Sequence, residues 1–218
     1  MNGRLVVLGD SVTVGAGFSG VDGATRYISI LEGLFHAAGI DSHLTCSALD
    51  GVDTGYALRR FDRMVGRHDP DVVVVMLGLN DARPPGGRPA CPPARFARNL
   101  AQLVDRSLEL GARPILSTPP PRLDAPTEAD GISGLMGPYA DRVRQVAESF
   151  HVELIDVYAA LVGHSEPASL IPDRLHPGPE GHRIIARKFA STLIPLSRRQ
   201  ATVVPERSTI PAGILLAQ

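Results

Sequence analysis

Five short runs, Leu5–Leu8, His43–Ala48, Val72–Leu77, Pro114–Ser117 and Val152–Ile155, are rich in β-branched and apolar residues and lack polar alternation. A strand with one wet face alternates, whereas a strand covered on both faces reads as a continuous apolar run. The runs therefore predict a parallel sheet packed on both sides. Stretches with helical spacing separate them. Arg26 to Ala38 places Ile30, Leu31, Leu34 and Phe35 on one face, and Tyr56 to Val65 does the same with Leu58, Phe61, Met64 and Val65. Further faces come from Phe96, Leu100, Leu103, Val104 and Leu108 in Ala94 to Leu110, and from Val143, Val146 and Phe150 in Tyr139 to Phe150. The last, Pro179 to Leu193, aligns Ile184, Ile185, Phe189 and Leu193. Strand and helix alternate about five times, which predicts an α/β sandwich with a mostly parallel five-stranded sheet. Right-handed crossovers would place helices on both faces.

Two loops, Ala82–Pro93 and Pro119–Gly137, are rich in proline and glycine, and each follows a predicted strand. Ligands bind at that edge of open α/β sheets, so each loop reads as a rim or lid, or as plain surface. Residues 1–196 read as one domain, with 197–218 a C-terminal tail beyond the last good helix.

Composition narrows the class. Formal net charge is -1, from 22 Lys+Arg against 23 Asp+Glu, which provides no basic field to gather nucleic acid or an anionic membrane. The longest apolar run is too short to cross a bilayer. The start of the chain lacks the apolar core of a leader peptide, since Gly9-Asp10 interrupts Leu5–Leu8. A cytoplasmic protein is the expectation. The two cysteines, Cys46 and Cys91, allow at most one disulfide and have no metal-site spacing.

Three polar groups close predicted strands or turns. Ser11 follows the first strand in Gly9-Asp10-Ser11, where a serine serves either as an exposed nucleophile or as a helix cap. Gly78-Leu79-Asn80-Asp81 ends the third strand; Asn80 reads as a neutral donor to a developing oxyanion or as an Asx turn. Asp173-Arg174-Leu175-His176-Pro177 puts an acid and a histidine three apart. Asp173 at Nδ1 would fix the tautomer and leave Nε2 of His176 as a general base; a metal-ligand pair or a surface turn would use the same spacing.

Taken together and in order, these blocks, with Gly51-Val52-Asp53-Thr54, resemble the SGNH (GDSL-type) hydrolase family over roughly residues 4 to 195. Gly181-His182 matches the family's entry to its last helix. Cys46 stands where the family usually has an asparagine upstream of the second-block glycine, and Gly55 offers a second alignment for Gly51. The resemblance implies a flavodoxin-like three-layer α/β/α sandwich and an ester hydrolase. Ser11 would be the nucleophile, His176 the base and Asp173 its orienting acid. The backbone N–H groups of Ser11 and Gly51 and the amide of Asn80 would form the oxyanion hole. No metal or organic cofactor is implied.

Asp10 and Asp81 read as turn-holding groups, His182 as a locally bonded residue and Arg59–Arg63 as a solvated helix face. Arg83, Arg88 and Arg122 lie in the two proline-rich loops, where they read as surface charges, or one of them as a partner for an anionic substrate group. The leading reading is an esterase working through an acyl-serine. The same triad serves an acyltransferase when an alcohol or amine replaces water. A metal-dependent phosphoesterase built on Asp10, Asn80, Asp81, Asp173 and His176 leaves Ser11 without a purpose, and a degenerate binding protein has no need of the filled triad. With no Trp, six Phe and four Tyr, the chain carries no extended aromatic platform, and a small or medium acyl ester is the expected partner.

Overall fold

A computed structural model describes residues 3–82, 90–123 and 135–198. Arg83, Arg88, most of the two proline-rich loops and residues 199–218 lie outside the described residues. In chain order the elements are β1 (Arg4–Gly9), α1 (Ser11–Val14), α2 (Tyr27–Ala37), β2 (His43–Ala48), α3 (Thr54–Arg59), α4 (Phe61–Met64) and β3 (Val72–Met76). They continue with α5 (Pro93–Glu109), β4 (Arg113–Ser117), α6 (Gly137–Ser149), β5 (Glu153–Ile155), α7 (Val157–Val162) and α8 (Pro179–Arg198).

All four strand pairings are parallel, in the order β2-β1-β3-β4-β5. This is the doubly wound flavodoxin-like order, in which the chain reverses its direction of travel across the sheet after β2. The crevice above β1 and β3 is its switch point. Every residue of β3 is buried, as its continuous apolar run requires. β2 departs from the expected two-sided cover: its first residue is exposed and the rest are half-buried. It is an edge strand with one sheet neighbour, so its apolar Leu44 and Cys46 pack only against the margin of the core.

The single helix expected over Tyr56 to Val65 is two. Asp53 caps α3 early by accepting from the N–H of Tyr56 (2.6 Å), and the backbone leaves helical values at Arg60. The Arg106 guanidinium takes a carbonyl near the α3 end, donating to Leu58 O (3.0 Å), and lies 4.6 Å from the Phe61 ring centroid. The break is therefore packed and satisfied. Arg59, Arg60, Asp62 and Arg63 are exposed, as a solvated face would be.

One buried contact ties the last helix to the first long one. Nδ1 of His182 accepts from the N–H of Tyr27 (3.0 Å), where α2 begins without a side-chain cap from Arg26. His182 is 1% exposed, and burial, with the nearby His176 adding to it, pushes its pKa down to about 4. Between about pH 4 and the ordinary 6.5 the unfolded chain therefore binds a proton that the folded chain refuses, so this residue's contribution to stability is lost as pH falls through that window. Asp10 and Asp81, raised to about 7 and about 6, act in the opposite direction. His182→Gln keeps an acceptor for Tyr27 and removes the titration. Compared with the parent in urea melts at pH 6.5 and pH 4, it is expected to lose roughly 3 kcal/mol less stability on acidification.

Candidate active site

The site begins where β1 ends. A Cβ on Gly9 would lie 2.0 Å from Thr13 Oγ1 and 2.5 Å from Thr13 Cβ, so only glycine lets the chain turn directly into α1. Oδ1 of Asp10 caps that short helix by accepting from the N–H of Val12 (3.0 Å). Burial pushes the Asp10 carboxyl up to about 7 against this hydrogen bond. Thr13 Oγ1 pairs with the Tyr27 hydroxyl at 3.0 Å and fixes the far side of the turn.

Ser11 stands at the first helical position, 8% exposed, with Oγ 3.0 Å from Nε2 of His176. Nδ1 of His176 lies 2.8 Å from Oδ2 of Asp173. The carboxylate can only accept, so Nδ1 carries the proton and Nε2 faces Ser11 as an acceptor. Asp173 is fixed by its own turn: Oδ1 accepts from the N–H groups of Leu175 (2.9 Å) and His176 (2.6 Å), with Arg174 in the left-handed region at φ 70°. Partial burial pushes the Asp173 carboxyl up, but the hydrogen bonds from His176 and Leu175 outweigh it and hold it below the ordinary value.

Two residues over the imidazole were not singled out from sequence. The Phe18 ring stacks on His176, centroids 4.2 Å apart, and Ser19 Oγ donates to the His176 carbonyl (2.9 Å). Both belong to a loop after α1 in which Gly15, Gly17, Ser19 and Gly20 have positive φ. That glycine spacing was the available sign that the chain folds back over the site.

The second and third blocks meet each other. Gly51 has φ 76° in the loop after β2, and its N–H has no hydrogen-bond partner among the described residues. Gly55 lies instead in the first turn of α3. Asn80 follows β3, and its Nδ2 donates to the Val52 carbonyl (2.9 Å), next to Gly51. Gly78 has φ 142°, and a Cβ there would lie 3.0 Å from Pro119 Cγ. Asp81 does not hold its own turn as expected. It reaches across to Thr54, accepting from its N–H and from Oγ1 (2.5 Å), and burial pushes its carboxyl up to about 6.

Asp10 and Asp81 are thus engaged with backbone and hydroxyl donors, and no group of three His, Cys, Asp or Glu able to hold a metal occurs among the described residues. The His182 side chain does not bond locally as expected; its partner is the N–H of Tyr27, at the start of α2. Cys46 and Cys91 are free thiols. The N–H of Leu123 donates to the Arg174 carbonyl (2.8 Å), which brings the loop carrying Arg122 beside the Asp173–His176 turn.

The model of the GDSL-like lipase/acylhydrolase family matches residues 7–184. The chain belongs to this family. An arylesterase from Vibrio mimicus is 27% identical over 191 residues, covering 88% of each chain. An acetylxylan esterase from Geobacillus stearothermophilus is 29% identical over 205 residues, covering 85% of this chain and 91% of its own. A crystal structure of an acetylxylan esterase from that organism superposes with a TM-score of 0.72 at 25% identity, covering 87% of this chain and 93% of its own. A catalytic mutant of the same esterase has a serine replaced by alanine. The protein is a carboxylic ester hydrolase of the GDSL family. Among the described residues no helix is long and apolar enough to cross a membrane.

The geometry at Gly9 gives a direct test of how the first block is held. Gly9→Ala forces Thr13 aside and with it the start of α1. A loss of about 1–3 kcal/mol in thermal or urea melts is expected, together with esterase activity far below that of the parent. A variant with parent stability and activity would show that the close approach does not constrain Ser11.

Proposed function

We propose that the protein hydrolyses a small or medium acyl ester through a covalent acyl-serine intermediate, with Ser11 as nucleophile, His176 as general base and Asp173 as its orienting acid. A serine hydroxyl is a poor nucleophile at neutral pH and needs such a base. Nε2 of His176 takes the Ser11 proton as Oγ bonds to the ester carbonyl carbon. Asp173 keeps the tautomer and stabilises the imidazolium that forms. The tetrahedral intermediate collapses, the C–O bond to the alcohol breaks, and His176 returns the proton to the leaving oxygen. Water then repeats the sequence: its proton goes to His176, its oxygen attacks the acyl carbon, and the acid departs as Ser11 recovers its proton.

The observation that carries this reading is the continuous chain from Ser11 Oγ to His176 Nε2 at 3.0 Å and from His176 Nδ1 to Asp173 Oδ2 at 2.8 Å. The oxyanion is assigned to the N–H groups of Ser11 and Gly51 and to Asn80. An amide nitrogen carries two hydrogens. One goes to the Val52 carbonyl, which orients the group and leaves the second for the oxyanion. The named substrate of the acetylxylan relative carries a short acyl group, and that supports a preference for short chains here.

Rapid mixing with p-nitrophenyl esters of increasing chain length tests both parts. A burst of about one p-nitrophenolate per chain is expected on acetate wherever deacylation limits turnover. Ser11→Ala should lower kcat by about 10⁴ or more, and kcat/KM should fall about tenfold or more between acetate and laurate. Retained turnover in Ser11→Ala would contradict the mechanism, and a preference for laurate would contradict the substrate class. An added alcohol that captures most of the acyl group at low concentration would make the enzyme a transferase working through the same intermediate.

A further inference from the structure

We propose that Asp81, Thr54 and Asn99 form a buried clamp that positions the oxyanion donors. The inference rests on the oxyanion reading given above. Gly51 and Asn80 lie on two loops that the sequence separates by a strand and two helices, and the donors are useful only if those loops hold a fixed spacing. Two cross-links set it. Asn80 Nδ2 donates to the Val52 carbonyl at 2.9 Å, one residue beyond Gly51. The next residue, Asp81, receives Thr54 through its N–H (3.1 Å to Oδ2, 3.3 Å to Oδ1) and its hydroxyl (2.5 Å), three residues beyond Gly51.

The rest of the cluster makes the second cross-link stiff. The Thr54 hydroxyl spends its single hydrogen on Asp81, so it faces Asn99 as an acceptor, with Nδ2 2.8 Å away. Asn99 sits on the buried side of α5, among Phe96, Leu100 and Leu103. The N–H of Cys91 donates to the Asp81 carbonyl at 2.9 Å, and the Tyr139 hydroxyl on α6 donates to the Cys91 carbonyl at 2.7 Å. Asp81 and Thr54 are both 0% exposed.

A carboxyl group buried at this depth carries a desolvation penalty, and an apolar residue would fill the space without it. What the carboxyl provides is direction. It takes a backbone N–H and a hydroxyl from the same residue, which fixes that residue's orientation as well as its distance. An oxyanion donor displaced by about 1 Å can cost on the order of 10²-fold in rate. Asp81, Thr54 and Asn99 touch no reacting atom in this account; they act through Gly51 and Asn80.

Kinetics of Thr54→Val, Asn80→Ala and the double variant on p-nitrophenyl acetate test the clamp. Valine keeps the shape and removes the hydroxyl. Thr54→Val is expected to lower kcat about tenfold to 10²-fold with KM changed less than about twofold, because the oxyanion exists only in the transition state. Thr54→Ser, which keeps the hydroxyl, should stay within about threefold of the parent in kcat. The double variant should lose less than the product of the single losses, since one donor that Thr54 positions is already gone. If Thr54→Val does not accumulate folded, Asn99→Ala replaces it in the same cycle with the same expectation. Should Asn80→Ala lower kcat while Thr54→Val leaves it at the parent level, raises KM instead, or multiplies with it in full, the clamp is wrong and the oxyanion reading stands. Should Asn80→Ala leave kcat unchanged, the oxyanion reading falls and the clamp falls with it.

Discussion

Strand β1 pairs in parallel with β2 on one side and β3 on the other, and the chain winds away from it in both directions. The loops that leave β1 and β3 must therefore diverge, and a crevice opens above their C-terminal ends. The candidate chemistry gathers at this crevice because the blocks are strand exits. Ser11 lies two residues beyond the last of β1, and Asn80 four beyond the last of β3, whose Met76 is paired with Gly9. His176 comes from the turn before α8, held in place from a distance by Ser11 and Ser19.

The polar groups around the crevice divide by what burial does to them. Asp10 and Asp81 are fully covered, and their carboxyls are pushed up even though each has donors. Asp173 is more open, takes three hydrogen bonds and is held down. In the proposed mechanism an ionised acid stands beside an imidazole that becomes charged, and Asp173 is the carboxyl whose surroundings favour the ionised state. His182, buried and pushed to about 4, is kept neutral and used as an acceptor at the start of α2. Two histidines in neighbouring turns of the chain thus have different surroundings and different partners.

The blocks were legible because their spacing is local. Asp173 and His176 are three residues apart, and Gly9-Asp10-Ser11 directly follows an apolar run. The central strands were legible for the same reason, since β1, β3 and β4, covered on both faces, leave nearly uninterrupted apolar stretches. What escaped depends on contacts between distant segments. No pattern links Phe18 to His176, or Asn99 to Thr54 and Asp81, although a polar residue on the apolar face of α5 was a visible anomaly. The four-residue helix α1 is too short to show a period and exists through its Asp10 cap. The break between α3 and α4 is satisfied by Arg106, more than forty positions along the chain.

The central claim is that His176 makes Ser11 nucleophilic. A phosphonofluoridate reacts with a serine only when that serine is activated, and the adduct is stable enough to weigh and map. Intact-mass analysis of the labelled protein is predicted to show one adduct per chain, mapped by peptide sequencing to Ser11, absent from Ser11→Ala and formed far more slowly in His176→Ala. A single adduct that persists in Ser11→Ala, or labelling of Ser11 at the parent rate in His176→Ala, would contradict the account.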